Sequence, residues 1–173
     1  MSTFVLSDIH GEYDKFMRML DVIHFTDEDT LYVLGDVLDR GPEPIRILME
    51  MMKYPSIIPM IGNHEVMGLP CLKFLLNEIT NGFINDISND PTLLYAFIDW
   101  TNNGCQTTIS EFSKLTTEER EMVLDYLGEF SLFETLKVND NKYILVHGGL
   151  GNFSPDKKLE DYSIDEIVWE VQV

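Results

Sequence analysis

Three times in its first 65 residues, a short apolar run able to form a strand ends in a turn that carries glycine together with carboxylate, imidazole or amide groups. Thr3-Phe4-Val5-Leu6 runs into Ser7-Asp8-Ile9-His10-Gly11-Glu12. Leu31-Tyr32-Val33-Leu34 runs into Gly35-Asp36-Val37-Leu38-Asp39-Arg40-Gly41, and Ser56 to Met60 into Ile61-Gly62-Asn63-His64-Glu65. Helical patterns follow the turns, so three successive strand–loop–helix units confine the chain to an α/β class with a parallel sheet. That topology lays the polar turns along one edge of the sheet, at the carboxyl ends of the strands, where α/β proteins gather their ligands. Asp and Gly are also ordinary turn residues, and any one of these turns alone could be a plain loop. Repetition is what points to a site.

The intervening segments read as helices. Tyr13, Phe16, Leu20 and Ile23 keep helical spacing over residues 13–23, with His24 a helix-terminal or surface residue rather than a ligand. Pro42 and Pro44 suit a first helical turn, and Ile45, Leu48, Met49 and Met52 form its expected buried stripe, with the methionines as core filler. Residues 66–130 are expected to be a helical insertion covering one side of the site, with helices around Cys71–Thr80, over Pro91–Asn102, and after Gly104. Thr116 and Glu119 form a capping box ahead of Met122, Val123, Tyr126 and Leu127. Gly82, Asn85, Asp86, Asn89, Asp90 and Pro91 read as a loop. Phe133–Val138, a turn at 139–141, and Tyr143–Val146 read as a hairpin that delivers His147-Gly148-Gly149-Leu150, a fourth polar cluster at a strand end. Ser163 and Glu166 cap a short last helix containing Ile167, Val168 and Trp169.

At 173 residues the chain is expected to be one domain, 1–173, large enough to bury roughly two-thirds of its unfolded surface. No apolar run approaches the ~20 residues of a membrane span, and the first strand begins too near Met1 to leave room for a signal peptide. With Cys71 and Cys105 read as reduced thiols, the expected setting is the cytoplasm, away from membranes. A net charge of −18, from 12 Lys+Arg against 30 Asp+Glu, argues against a nucleic-acid partner. An anionic substrate would also be repelled unless bound cations reversed the local sign.

The four clusters assemble Asp8, His10, Asp36, Asp39, Arg40, Asn63, His64 and His147. Imidazole, carboxylate and an amide oxygen suit divalent ions such as Mn, Fe, Co or Zn. Asp8 and His10, two apart on extended chain, can both reach one ion. Two ions ~3.5–4 Å apart, sharing a carboxylate, clamp an in-line displacement at phosphorus. No G-x-S-x-G or cysteine-based phosphatase loop is present, so no covalent phosphoenzyme is implied.

The set S-D-I-H-G, G-D-V-L-D-R-G, G-N-H-E and H-G-G-L, in that order, resembles the calcineurin-like metallophosphoesterases. Within them it is similar to the phosphoprotein phosphatase family, especially its small bacterial members, and Asn103-Gly104-Cys105-Gln106-Thr107 looks like their Asn-Gly-Gly segment. The resemblance implies a β-sandwich of mixed sheets flanked by helices. It implies two divalent metal ions, manganese first, with Fe, Zn, Co, Ni or Mg as alternatives. Asp8 and His10 would hold one, Asp36 would bridge, and Asn63 and His147 would hold the other. Attack would come from a metal-bridging hydroxide. His64 would be the general acid, oriented by Asp39, and Arg40, Asn63 and His64 would contact the phosphate, with Glu65 in a supporting part. The alternative for His64 is a metal ligand. The implied activity is serine/threonine protein phosphatase-like, on phosphoproteins or small phosphoesters, and the runner-up is a symmetrical dinucleoside tetraphosphatase.

The sequence departs from that family pattern in two places. The family carries a further histidine in a G-H-T-P-like strand, and none of the four histidines here follows His147. It also shows W-x-R, where this chain has Trp169-Glu170-Val171. The expectation is therefore a chain cut short at its C-terminal end, with an incomplete second sheet and a more open second metal site. It also lacks one phosphate donor, whose loss costs about 2–4 kcal/mol of transition-state stabilisation. An exposed sheet edge would then invite pairing into a homo-oligomer. A catalytically impaired relative that binds phosphate or partners is the competing reading.

Overall fold

Buried at its centre is β2 (Thr30–Val33), with β1 (Thr3–Leu6) on one side and β3 (Ile57–Pro59) on the other, all parallel in the order β1-β2-β3. The register pairs Thr3 with Thr30 and Leu31 with Ile57. Leu31, Tyr32 and Val33 are all buried, as a strand flanked on both sides must be, whereas Val5 on the edge strand is exposed. The structure is a computed structural model that describes residues 1–76 and 91–169.

Among the described residues, α1 (Tyr13–Val22) and α2 (Pro44–Met51) connect these strands. Then follow α3 (Asn63–Leu75), α4 (Pro91–Asn102), α5 (Gln106–Phe112) and α6 (Thr117–Gly128). The hairpin is β4 (Glu134–Val138) with β5 (Asn141–Leu145), and α7 (Ile164–Val168) comes last. This is the expected α/β architecture of mixed sheets and flanking helices. The second sheet has two strands among the described residues. Its register leaves Asn139-Asp140 as a two-residue turn with φ of 47° and 67°, the left-handed geometry of a type I′ hairpin. No described helix is long and apolar enough to cross a membrane.

Several expectations shift in detail. Helix α3 begins at Asn63, inside the third polar cluster rather than after it, so Asn63, His64 and Glu65 occupy a first helical turn. On α2 the fully buried apolar positions after Pro44 are Ile45, Ile47, Leu48 and Met51, while Met49 and Met52 are only partly buried. The cause is that α1, α5 and α6 all contact α2, so its buried arc is wider than a single stripe. The Thr116/Glu119 capping box forms, but Met122 is exposed and Leu124 takes a buried place. Pro91 opens α4, while the rest of the expected loop, with residues 77–90, lies outside the described residues. Cys71 and Cys105 are free and buried, and burial pushes the Cys71 thiol up to about 12.

Two devices position the turns. Glu65, on the first turn of α3, accepts the backbone N–H groups of Asp36 and Gly62 on one oxygen, at 2.8 and 2.9 Å. Its other oxygen accepts those of Val37 and Leu38, at 2.9 and 3.1 Å. Burial, and then the Asp36 charge, push its carboxyl above the usual range, while the N–H donors pull it back. At the other end of the chain, the N–H groups of Gly148 and Gly149 donate to the Ile167 carbonyl, and that of Gly151 to Glu166. Helix α7 thus holds the loop after His147. It sits on its own small core, where Tyr162, Ile167 and Val168 meet Ile61, Val66, Leu132, Phe133, Val146 and Leu150.

Two outcomes are expected. Glu65→Gln replaces an oxygen that accepts two N–H groups with an NH2, and should lower stability by about 1–3 kcal/mol or more in denaturant titration. The Lys157 ammonium, 2.8 and 2.9 Å from the two oxygens of Glu166, holds that carboxyl down to about 2 from its ordinary value of 4.5. A depressed carboxyl adds stability above the unfolded value and loses it as pH falls through the folded one. Lys157→Met should therefore flatten the fall in melting temperature as pH drops from 4.5 towards 2.

Candidate active site

The first two polar turns are built from backbone that side chains ordinarily avoid. Asp8, His10, Asp36, Asp39 and Arg40 have φ of 57°, 43°, 55°, 69° and 65°. Each such left-handed position costs on the order of 1–3 kcal/mol and persists only where its surroundings over-determine it. Here the turns are bonded to one another. The N–H groups of Asp8, His10 and Gly11 donate to the carbonyls of Gly35, Asp36 and Val37, and Gly41 N–H donates back to His10. The approach is so close that a Cβ on Gly41 would lie 2.0 Å from the His10 carbonyl oxygen. Gly35, at φ +84°, would place one 2.4 Å from Gly62 N. Only glycine lets the three turns meet.

Imidazoles enter from two sides onto the Asp36 carboxylate, which is 3% exposed. His10 Nε2 lies 3.4 Å from Asp36 Oδ2, and His147 Nε2 lies 3.4 Å from Asp36 Oδ1. Each ring is oriented through its other nitrogen, His10 Nδ1 donating to the Leu38 carbonyl at 2.9 Å and His147 Nδ1 to that of Leu34 at 2.6 Å. Those bonds place the proton on Nδ1 and turn the Nε2 lone pair inward, the tautomer a metal ion requires. Asp8 is exposed, with Oδ1 3.9 Å from His10 Nε2, and Ser7 Oγ donates to its other oxygen.

The Asn63 amide tests whether these residues suit a cation. With its oxygen inward, it faces His147 Nε2 at 2.9 Å, so acceptors converge on acceptors, the arrangement a cation satisfies. Turned over, its nitrogen donates to the same ring at 2.9 Å and to both Asp36 oxygens at 3.3 Å. The amide thus has a partner in either state. The donor set of imidazole, carboxylate and amide oxygen fits divalent cations.

His64 and Asp39, both fully buried, are joined by the bond His64 Nδ1 to Asp39 Oδ2 at 2.7 Å. His64 Nε2 therefore faces the same space as His10, and the donor atoms of His10, Asp36 and His64 lie within 4.8 Å of one another. The metal-ligand alternative for His64 thus keeps a geometric basis. Arg40 spans the two rings, Nη1 donating to His10 Nε2 and Nη2 to His64 Nε2, each at 2.8 Å. A guanidinium held as a fork at that point is placed to receive two oxygens of a phosphoryl group.

All eight expected site residues come together. Sequence reasoning passed over Trp100 and Thr108, which reach Asp39 from α4 and α5. Trp100 Nε1 donates to Asp39 Oδ2 at 2.7 Å, and Thr108 Oγ1 donates to Asp39 Oδ1 at 2.5 Å. Nor was Gly104 singled out on its own, although its carbonyl accepts the Arg40 N–H at 3.0 Å. The available signal was the Asn103–Thr107 segment, which lies between Trp100 and Thr108.

The sequence profile of the calcineurin-like phosphoesterases matches residues 1–171. A symmetrical bis(5′-nucleosyl)-tetraphosphatase of Wigglesworthia glossinidia brevipalpis is 38% identical over 68 residues, covering 38% of this chain and 25% of its own. Serine/threonine-protein phosphatase 2 of Salmonella typhimurium is 27% identical over 167 residues, covering 96% and 66%. A crystal structure assigned provisionally as a diadenosine tetraphosphatase shares the fold, with TM-score 0.60 at 17% identity, covering 96% of this chain and 61% of that one. The match covers 25% of the Wigglesworthia tetraphosphatase and 44% of one from Buchnera aphidicola, so the chain spans less than half the length of these curated relatives. From its motifs, its fold and the extent of the profile match, the chain belongs to the calcineurin-like phosphoesterase family.

Proposed function

We propose that the protein hydrolyses phosphoesters or phosphoanhydrides with two divalent cations held by Asp8, His10, Asp36, Asn63 and His147. The observation that carries this reading is the Asp36 carboxylate, whose two oxygens face imidazoles arriving from different parts of the chain. Bound there, the cations would make a water more acidic and neutralise charge on the phosphoryl group. They would also offset the repulsion between a polyanionic substrate and a chain of net charge −18. Arg40 grips the phosphoryl oxygens. Asp39 holds Nδ1–H of His64, orienting the ring so that Nε2 would serve the leaving oxygen as proton donor.

For the substrate, the relatives favour the order opposite to that suggested by the motifs. The symmetrical tetraphosphatases of Wigglesworthia and Buchnera support a dinucleoside tetraphosphate ahead of a phosphoprotein. Water would attack an inner phosphorus, the bond between the two middle phosphates would break, and two nucleoside diphosphates would leave. The Salmonella phosphatase supports the phosphoprotein reading.

The test is calorimetric titration of Mn²⁺ into metal-stripped protein, followed by assay on diadenosine tetraphosphate and on a phosphothreonine peptide. Two ions per chain and two ADP per tetraphosphate are expected. Asp36→Asn should lose at least one ion and all measurable turnover. His64→Asn should keep both ions while kcat falls about 10²–10⁴-fold. Wild-type protein that takes up no Mn²⁺, or an Asp36→Asn variant as active as wild type, would refute the proposal. A faster rate on the peptide would reverse the order of substrates.

A further inference from the structure

We propose that Trp100 and Thr108 are positioning residues that act through Asp39 to fix the ring of His64, an inference that rests on the general-acid reading above. The carboxylate of Asp39 is fully enclosed and takes a donor on each oxygen besides the histidine. Oδ2 is shared between His64 Nδ1 and Trp100 Nε1, both at 2.7 Å. Oδ1 accepts the Thr108 hydroxyl at 2.5 Å. That hydroxyl in turn accepts the backbone N–H of Asp39 at 3.0 Å, so one threonine oxygen holds both ends of the residue. Asp39, His64, Trp100 and Thr108 are all 0% exposed.

A carboxylate bonded only to an imidazole can rotate about its last torsion and carry the ring with it. Donors on both oxygens fix the carboxylate plane, so the ring keeps Nδ1 on Asp39 and Nε2 towards Arg40 and Asp36. The need is sharpened by the left-handed φ of 69° at Asp39, a conformation that demands support. The indole itself is seated by Gly68, where a Cβ would come within 3.2 Å of its ring. The turn between the two donors also contributes Gly104, whose carbonyl holds the Arg40 N–H. One α4–turn–α5 unit therefore fixes both neighbours, Asp39 and Arg40. A tryptophan serving only as core filler would need a partner for its N–H, but not this partner.

The test compares Thr108→Val, Thr108→Ser and Trp100→Phe with wild type in two measurements, with thermal melts to show that each variant folds. In the first, proton and ¹⁵N NMR on Mg²⁺-loaded protein follows the His64 Nδ1–H, identified by its loss in His64→Asn. Thr108→Val and Trp100→Phe should speed its exchange with water at least about tenfold, and Thr108→Ser should restore it. In the second, hydrolysis of phenyl phosphate, whose leaving oxygen needs a proton, should fall about 10–100-fold in the first two variants. Hydrolysis of p-nitrophenyl phosphate, which needs little protonation, should fall less than about threefold. Unchanged proton exchange in both folded variants would overturn the inference, as would equal losses on the two esters. Wild-type protein that cleaves neither ester would count against the phosphoester arm of the proposed function alone, because the proton signal still decides the clamp.

Discussion

One buried carboxylate, that of Glu65, joins the second and third turns by accepting four backbone N–H groups from Asp36, Val37, Leu38 and Gly62. Enclosing a charge is costly in a medium of low polarisability, and it is tolerable only where every lone pair is satisfied. The position on the first turn of α3 adds the favourable end of the helix dipole. In return, three consecutive N–H groups are pointed at one side chain, which forces the chain from Asp36 onward to coil tightly. The left-handed geometry at Asp36 becomes sustainable, and its side chain reaches the two histidines.

The same logic runs through the rest of the site, where backbone groups orient side chains and side chains orient backbone. The carbonyls of Leu38 and Leu34 choose the tautomers of His10 and His147. The Asp36 carboxylate accepts the His64 N–H at 3.1 Å and faces two imidazoles as well. None of these interactions needs a long flexible side chain. Among the eight site residues, Asp8 and Arg40 are the exposed ones.

Much of this was legible because the signals are local. A strand, a glycine-bearing turn and a helix lie within a dozen residues of one another in Thr3–Val22, and their chemistry is written in the turn itself. Legibility fails where the partner is distant. Trp100 donates across 61 positions and Thr108 across 69, and within their helices each resembles an ordinary core residue. Ile47 and Met51 of α2 escaped notice for a related reason, since helical periodicity reports one packed face and α2 is packed on several. The start of α3 was misjudged because Asn63 and His64 read as turn chemistry, although they already lie in the helix.

His147 differs from the other site residues in how far it must travel. Its ring bonds to a carbonyl 113 positions earlier, whereas His10 spans only 28 to its own. The extra loop-closure entropy is small at equilibrium, about 1.2 kcal/mol from the logarithmic dependence on loop length. In time the difference is larger, because contacts of long sequence separation form late. A growing chain has Asp8, His10, Asp36, Asn63 and His64 outside the ribosome well before His147 is made. The half of the site carried by the parallel sheet is therefore synthesised before the hairpin and α7 that complete it.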